Sequence, residues 1–212
     1  MKQTPILHLF LLLSIGYILS QYIIKEVVIT DEHYFNSFGE QLSYQRIGDL
    51  LSFKRKWNWL GYIATPLFVF MKTSFITICL FAGAFSFNIQ ISLRKLYRVA
   101  VVGEFVFLIA MLIKVFWLLT FSDNLTLEGI QYFYPLSLIN LLDVSSLDIW
   151  WTYPMQVINL FELTYWLLLA YGLHQVMNTS FKQSMGIVAA SYGSGLVLWV
   201  AFITFLTVSI GV

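Results

Sequence analysis

The sequence predicts an all-α fold: a polytopic membrane helix bundle with about five transmembrane helices and one short re-entrant or interfacial half-helix. The chain of 212 residues is 59% hydrophobic and only 11% charged, whereas a typical soluble domain has roughly 25% charged residues. The apolar residues are also gathered into runs of about 20, the length that a helix needs to cross a bilayer. Residues 1–212 are therefore predicted to form a single integral membrane domain.

Five apolar runs are long enough to be spans. The first is followed by Lys25 and Glu26 and lacks a convincing small-residue cleavage site, which favours a retained span over a signal peptide. The second begins at Trp57 and Trp59, and such aromatic residues are typical of a membrane interface. The predicted spans are residues 6–24, 57–85, 99–121, 153–175 and 184–209.

Two segments between the spans are predicted to be interfacial. Residues 25–56 mix charged residues with single apolar ones, a pattern typical of short helices on a membrane surface. The other segment is 134–147, which contains a proline-led stretch at residues 135–143. Nine residues make only about 14 Å of helix, too little to cross a core of about 30 Å. This stretch is therefore predicted to be the half-helix.

The half-helix and the fourth span begin with the same ten-residue pattern. Residues 134–143 and residues 153–162 both read Tyr, Pro, apolar, polar, apolar, Ile, Asn, Leu, apolar, acid. Proline has no N–H to lose and a φ suited to the first helical turn, so each Tyr-Pro pair is predicted to start a helix. If the protein has a polar site, we expect it where the two copies meet.

A polar site inside the membrane is predicted from the ionisable residues within the spans, since each costs about 2.5–3.5 kcal/mol on insertion scales. Lys114 and Glu162 fall at similar depths in the third and fourth spans and are predicted to pair. Lys72 is expected to extend its amine towards the interface, and Glu104 to meet Arg98. The predicted site consists of Lys114, Asn140, Asp143, Asn159 and Glu162. The alternative is that these contacts only hold the helices together.

Other kinds of site are not indicated. A net charge of +1 leaves no basic face for nucleic acid. The single cysteine and the scattered histidines form no metal-ligand spacing, so neither a metal nor another cofactor is expected, and no catalytic constellation indicates an enzyme. Gly186, Ala190 and Ser194 recur at four-residue spacing, a pattern that lets helices approach closely. We expect these three residues to pack helices together.

The distribution of basic residues predicts a cytoplasmic N-terminus. The loop at residues 122–152 contains acids and no Lys or Arg, which favours the outer side. Residues 54–56, Lys-Arg-Lys, would then also lie outside, against that tendency. The chain is expected in the plasma (inner) membrane if its source is bacterial.

The layout resembles that of the Yip-domain family, small polytopic membrane proteins named for their interaction with vesicle-trafficking GTPases. The resemblance rests on five closely spaced spans, a kinked second span, the basic turn at residues 92–96 and a short C-terminal hairpin, and it covers roughly residues 57–212. It implies a helical membrane fold, and it carries over no catalytic residue. Where that family has an Asp-Leu-x-Gly-Pro signature, this chain has Gly-Asp-Leu-Leu-Ser at residues 48–52.

The expected function is that of a non-enzymatic scaffold or accessory subunit in membrane traffic, secretion or transport, with membrane lipids and other membrane proteins as partners. The alternative is a small transporter or lipid-handling protein. Its polar site would lie between the half-helix at 135–143 and the spans at 99–121 and 153–175. Helix N-termini directed at such a site are known to bind anionic or polar groups.

Overall fold

Long apolar runs with few helix-breaking residues fold here into long helices. The computed structural model describes residues 5–121, 126–143 and 147–210, and within these ranges the chain is all-α without a strand. The helices are α1 (Ile6–Tyr22), α2 (Asp31–Phe38), α3 (Tyr44–Ser86), α4 (Leu93–Phe121), α5 (Leu127–Tyr132), α6 (Ile149–Val157), α7 (Leu160–Met177), α8 (Phe181–Val188) and α9 (Ser194–Ile210). The π-helical segment Ile23–Val28 extends α1, and the π-helical segment Ala189–Gly193 joins α8 to α9.

Four helical stretches are long and apolar enough to cross a membrane: Ile6–Val28, Tyr44–Ser86, Leu93–Phe121 and Phe181–Ser209. They contain the predicted first, second, third and fifth spans. The all-α class is thereby confirmed, together with four membrane-length helices.

The predicted fourth span, residues 153–175, is wrong as a single helix. The chain forms α6 and α7 instead, with Ile158 and Asn159 in extended conformations between them. The reason lies in two signals on either side of the break. The helix begins at Ile149, ahead of Pro154, and the side chain of Asn159 then caps a new helix by accepting a hydrogen bond from the backbone N–H of Glu162.

The half-helix predicted to start at Pro135 is also wrong. Tyr134 and the buried Pro135 lead into a turn, and Leu136 has a φ of 54°, in the left-handed region. Only a short 3₁₀ turn, Leu138–Leu141, follows. A left-handed residue directly after the proline prevents an α-helix from starting there.

The predicted interfacial segment 25–56 is more helical than expected. After the π-helical segment and α2, α3 begins at Tyr44 and continues without interruption past Trp57 to Ser86. Ser43 caps it by accepting from the N–H of Arg46.

α4 is central to the bundle, since it packs against α1, α3 and α7. Two glycines allow α4 and α7 to approach closely. A Cβ on Gly103 would lie 2.8 Å from the Tyr165 ring, and one on Gly172 would lie 2.5 Å from Val99. These contacts show that α4 and α7 run antiparallel. The core between them continues onto α3 and α8 through Leu80 and other apolar residues.

Candidate functional site

A partly buried ion pair joins α3 to the middle of α4. The Lys72 ammonium lies 2.6 Å from Oε1 of Glu104 and 3.9 Å from the centre of the Phe107 ring. Glu104 is 2% exposed, whereas the Lys72 side chain remains 45% exposed. The carboxylate is therefore enclosed by the helices, and the lysine connects it to an open space.

The two oxygens of the Glu104 carboxylate differ in their hydrogen bonding. Tyr17 of α1 donates to Oε1 of Glu104 at 3.3 Å. Oε2 and the hydroxyl of Tyr165 are both buried without a hydrogen-bond partner among the described residues. Most buried polar atoms are hydrogen-bonded, so these two atoms mark a place where the bundle is not fully satisfied by its own side chains.

A cavity of about 280 Å³ lies beside the ion pair, between several helices of the bundle. Its polar character comes mainly from hydroxyl, amide and charged side chains. They belong to Tyr17, Lys72, Tyr134, Tyr153, Gln156, Asn159, Glu162, Tyr192 and the indole N–H of Trp199. Apolar walls are supplied by Phe107, Met111, Val157 and Leu196. The cavity is small, close to the lower end of the range for ligand pockets.

Glu162 contributes a carboxylate to this cavity from the first turn of α7. Its Oε1 accepts from the hydroxyl of Tyr192 at 2.7 Å and from the indole N–H of Trp166 at 2.9 Å. A carboxylate in the first turn of a helix is stabilised by the helix dipole. Glu162 is thus fixed by two donors and a helix end.

The two repeat tyrosines, Tyr134 and Tyr153, both reach the cavity. Tyr153 accepts from the indole N–H of Trp199 at 2.9 Å. Burial, followed by the nearby carboxylates of Glu104 and Glu162, raises the pKa of Tyr134 well above its ordinary value. Its hydroxyl is therefore a neutral donor at physiological pH, and within the described part of the chain it forms no hydrogen bond with another side chain.

The two copies of the repeat contact each other at the break between α6 and α7. Ser137 and Asn159 form an antiparallel bridge: the N–H of Leu138 donates to the carbonyl of Ile158 at 2.9 Å, and that of Leu160 to the carbonyl of Leu136 at 3.2 Å. These bonds satisfy backbone groups that the break would otherwise leave unpaired.

The side chain of Ser137 also satisfies backbone carbonyls at the C-terminal end of α6. Its hydroxyl lies 2.8 Å from the carbonyl of Met155 and 3.1 Å from that of Gln156. Gln156 in turn donates to the carbonyl of Tyr132 at 3.2 Å. The first copy of the repeat is therefore not an α-helix itself, and it stabilises the C-terminal end of α6 in the second copy.

The structure brings together only part of the predicted polar site. Asn159 and Glu162 line the cavity, and Asn140 lines an adjoining groove. Lys114 and Glu162 do not form the predicted ion pair, because Lys114 donates to the carbonyl of Gln131 at 3.2 Å. Asp143 is exposed and lines neither space.

Two other predicted contacts are replaced. Glu104 pairs with Lys72, where the sequence predicted Arg98 as its partner. The predicted packing residues Gly186, Ala190 and Ser194 are exposed, and a Cβ on Gly186 would meet nothing within 4 Å. The close approaches of this region involve glycines on the opposite side: Gly193 against Trp166, Gly195 against Cys79 and Gly83 against Ser191.

Sequence reasoning missed the ion pair and the tyrosines around it. One signal for the pair was present: Lys72 and Glu104 lie about three to four helical turns from the short connection between α3 and α4. In an antiparallel hairpin, equal distances from the turn place two residues at similar depth. The tyrosines carried no comparable signal, because they come from five separate segments.

No metal site is formed by the described residues, since no three His, Cys, Asp or Glu side chains within 5–121, 126–143 and 147–210 come together.

The fold and the site define an all-α protein with four membrane-length helices and a polar cavity beside a broken helix pair. No family model, no curated protein and no solved structure matches the chain. The resemblance to the Yip-domain family stays a prediction.

Proposed function

We propose that this chain is a non-enzymatic, lipid-handling membrane protein that takes an amphipathic molecule into the bundle, with its polar head in the cavity and its apolar part in the adjoining grooves. The observation that carries this proposal is the continuity of polar and apolar spaces. Val157 and Leu196 line the cavity and also two apolar grooves of about 670 and 840 Å³.

The polar end of the site suits a small head group. Tyr134 offers a hydroxyl donor, and Lys72 carries its half-exposed ammonium into the same space. Hydrogen bonds that involve a charged group are stronger than neutral ones. Such a constellation selects molecules with a polar or charged head over purely apolar ones.

The apolar end of the site faces outward. One groove is lined by exposed side chains of the repeat region, including Leu136, Leu141 and Leu163. The other lies between α6 and α9 and includes Trp150, Val197 and Phe205. Exposed apolar side chains at membrane depth face hydrocarbon, so a lipid-like chain can occupy these grooves while its head reaches the cavity.

The broken helix supports the same proposal. In membrane transporters, polar substrates are often bound near the bilayer midplane by helices that are interrupted there. Here α6 and α7 together replace a single span, and the N-terminus of α7 opens at the cavity through Asn159 and Glu162. We propose that α6 and α7 together form one further crossing, the fourth of five in chain order. The N-terminus of the chain then lies in the cytoplasm.

Transbilayer movement of fluorescent phospholipid in proteoliposomes tests this function. Phosphatidylcholine and phosphatidylglycerol with a fluorophore on one acyl chain are reconstituted with the full chain, and a membrane-impermeant quencher reports how much probe reaches the outer leaflet. We expect faster exchange than in vesicles without protein. Leu196→Trp fills the junction of all three spaces and is expected to reduce the exchange about tenfold, since a bulky group there excludes the ligand.

Leu198→Trp is the matched control. Leu198 is 70% exposed on the same helix and lines none of the three spaces. The rate of lipid exchange by Leu198→Trp should therefore equal that of the wild type. Exchange no faster than in empty vesicles, or equal exchange in Leu196→Trp and wild type, contradicts the proposal.

An accessory subunit is the second candidate, as expected from the sequence. The observation in its favour is the exposed small-residue face of Gly186, Ala190 and Ser194, against which another protein's helix can pack closely. Purification from native membranes tests whether partner proteins remain stably bound. Partners that bind the wild type but not Ala190→Leu, together with no lipid exchange by the wild type, would favour this candidate over lipid handling.

A further inference from the structure

A second polar pocket lies far from the cavity, where α1 ends and α2 meets α3. This interfacial pocket has a volume of about 520 Å³, and its charged and aromatic lining comprises Lys25, Glu26, Asp31, Lys54, Arg55 and Trp59. Lys25 belongs to the π-helical segment that extends α1. π-helical turns are rare and frequently occur at functional sites.

The two carboxylates of the pocket are already occupied. Asp31 pairs with Arg55 at 2.5 Å. Glu26 accepts hydrogen bonds from the Asn58 amide and, at 3.2 Å, from the Tyr62 hydroxyl. Asp31 is therefore neutralised by Arg55, whereas Glu26 keeps its negative charge and interacts electrostatically with Lys25.

Each of the two lysines of the pocket lies over an aromatic ring. The Lys25 ammonium lies 5.5 Å from the centre of the Tyr62 ring, and that of Lys54 lies 4.6 Å from the centre of the Tyr34 ring. In the part of the chain that the structure describes, neither lysine forms an ion pair. Three cations, Lys25, Lys54 and Arg55, and two carboxylates line the pocket, so its net charge is +1 and favours an anion.

The backbone next to Lys25 makes room for its ammonium. A Cβ on Gly61 would lie only 2.8 Å from Lys25 Nζ. Glycine at this position of α3 lets the lysine lie across the helix and reach the pocket, so a methyl group there would displace the charge without removing it.

The position of the pocket indicates the kind of anion. It lies at the end of the apolar stretch Ile6–Val28 and beside Trp59, and aromatic residues of this kind lie at the level of lipid head groups. Phosphate groups are the anions concentrated at that level, and lysine binds phosphate as a point charge.

We propose that the interfacial pocket binds a phosphate group through Lys25 and Lys54. The Arg55–Asp31 pair closes one wall, and Trp59 lies against the part of the ligand that carries the phosphate. The pocket is separate from the cavity at Lys72, so it does not depend on the function proposed above.

Titration of the purified full chain in detergent tests the proposal. Native mass spectrometry measures retention of dioleoyl phosphatidic acid and of dioleoyl phosphatidylcholine, with and without inorganic phosphate as a competitor. The double variant Lys25→Gln/Lys54→Gln is expected to bind phosphatidic acid about tenfold more weakly, the effect of removing hydrogen bonds to a charged group. Gly61→Ala should weaken binding in the same direction with both charges retained.

Lys56→Gln is the matched control, because Lys56 is exposed on the same helix and does not line the pocket. It should bind as the wild type does. Competition by inorganic phosphate identifies a soluble phosphate as the ligand, and binding of phosphatidic acid without such competition identifies a lipid head group. Wild-type binding in the double variant, equal losses in Lys56→Gln, or retention of neither phosphatidic acid nor phosphate overturns the proposal.

Discussion

The two copies of the ten-residue repeat have the same pattern and different structures. In the first copy, residues 134–143, the chain turns at Leu136 and forms one 3₁₀ turn. In the second, residues 153–162, α6 ends at Val157 and Asn159 caps the start of α7. The asparagines nevertheless act alike, since Asn140 bonds to the backbone of Tyr134 and Asn159 to that of Gln156.

The difference arises from what precedes each copy. The residue before Pro135 follows the end of α5, and Phe133 is already extended with a ψ of 121°. Pro154 instead lies inside a helix that began five residues earlier, at Ile149. Proline favours an extended residue before it, and the helix in the second copy overrides that preference. The same short pattern therefore adopts two different conformations, and the surrounding chain decides which.

The largest expected effect on stability is that of replacing Asn159, the capping asparagine of the second copy. Asn159 is buried, and its loss removes a helix cap and leaves buried backbone groups unpaired. Asn159→Ala should lower the free energy of unfolding by about 2 kcal/mol. Asn140→Ala, the exposed equivalent, should lower it by less than about 1 kcal/mol. Denaturant titration in detergent micelles measures both values, and equal losses would contradict the structural distinction.

The contact between the copies should produce a coupled effect. Ser137→Ala removes the hydroxyl that bonds to the end of α6 and should cost about 1–2 kcal/mol. Because the Ser137 hydroxyl and the Asn159 amide both donate to the carbonyl of Gln156, the Ser137→Ala/Asn159→Ala double variant should deviate from additivity by at least about 0.5 kcal/mol. Strict additivity in the same unfolding assay would show that the two copies are independent.

The smallest expected effects on stability have opposite signs at equivalent positions of the two copies. Leu136 has a positive φ and is 60% exposed, so Leu136→Gly should relieve backbone strain and stabilise the protein by about 0.5 kcal/mol. Met155 holds the same repeat position inside α6, and Met155→Gly should destabilise it by about 1 kcal/mol. Thermal unfolding of the two variants compares them directly, and shifts of the same sign would contradict the assigned conformations.

Much of the fold could be predicted from the sequence because it depends on apolar runs. Four of the five predicted spans correspond to helices long enough to cross a membrane. The predicted fourth span is wrong for a local reason: the tyrosine and proline at 153–154 predict a helix start, whereas the helix begins at Ile149.

The candidate site was less predictable. Asn159 and Glu162 were identified because polar residues in an apolar run are conspicuous. The partner of Glu104 and the neighbours of Glu162 depend on which helices lie side by side, and α4 packs against three others. Depth arguments alone paired Lys114 with Glu162, since they use distance along the membrane normal and ignore rotation about the helix axis.

The Lys72–Glu104 pair has a consequence for how the chain enters a membrane. Each residue alone costs about 2.5–3.5 kcal/mol at the centre of a span. The two helices that carry them are joined by the short connection from Phe87 to Ser92, so they can leave the insertion machinery together as a hairpin. During biogenesis α3 and α4 would then form the first stable unit, on which the remaining helices assemble.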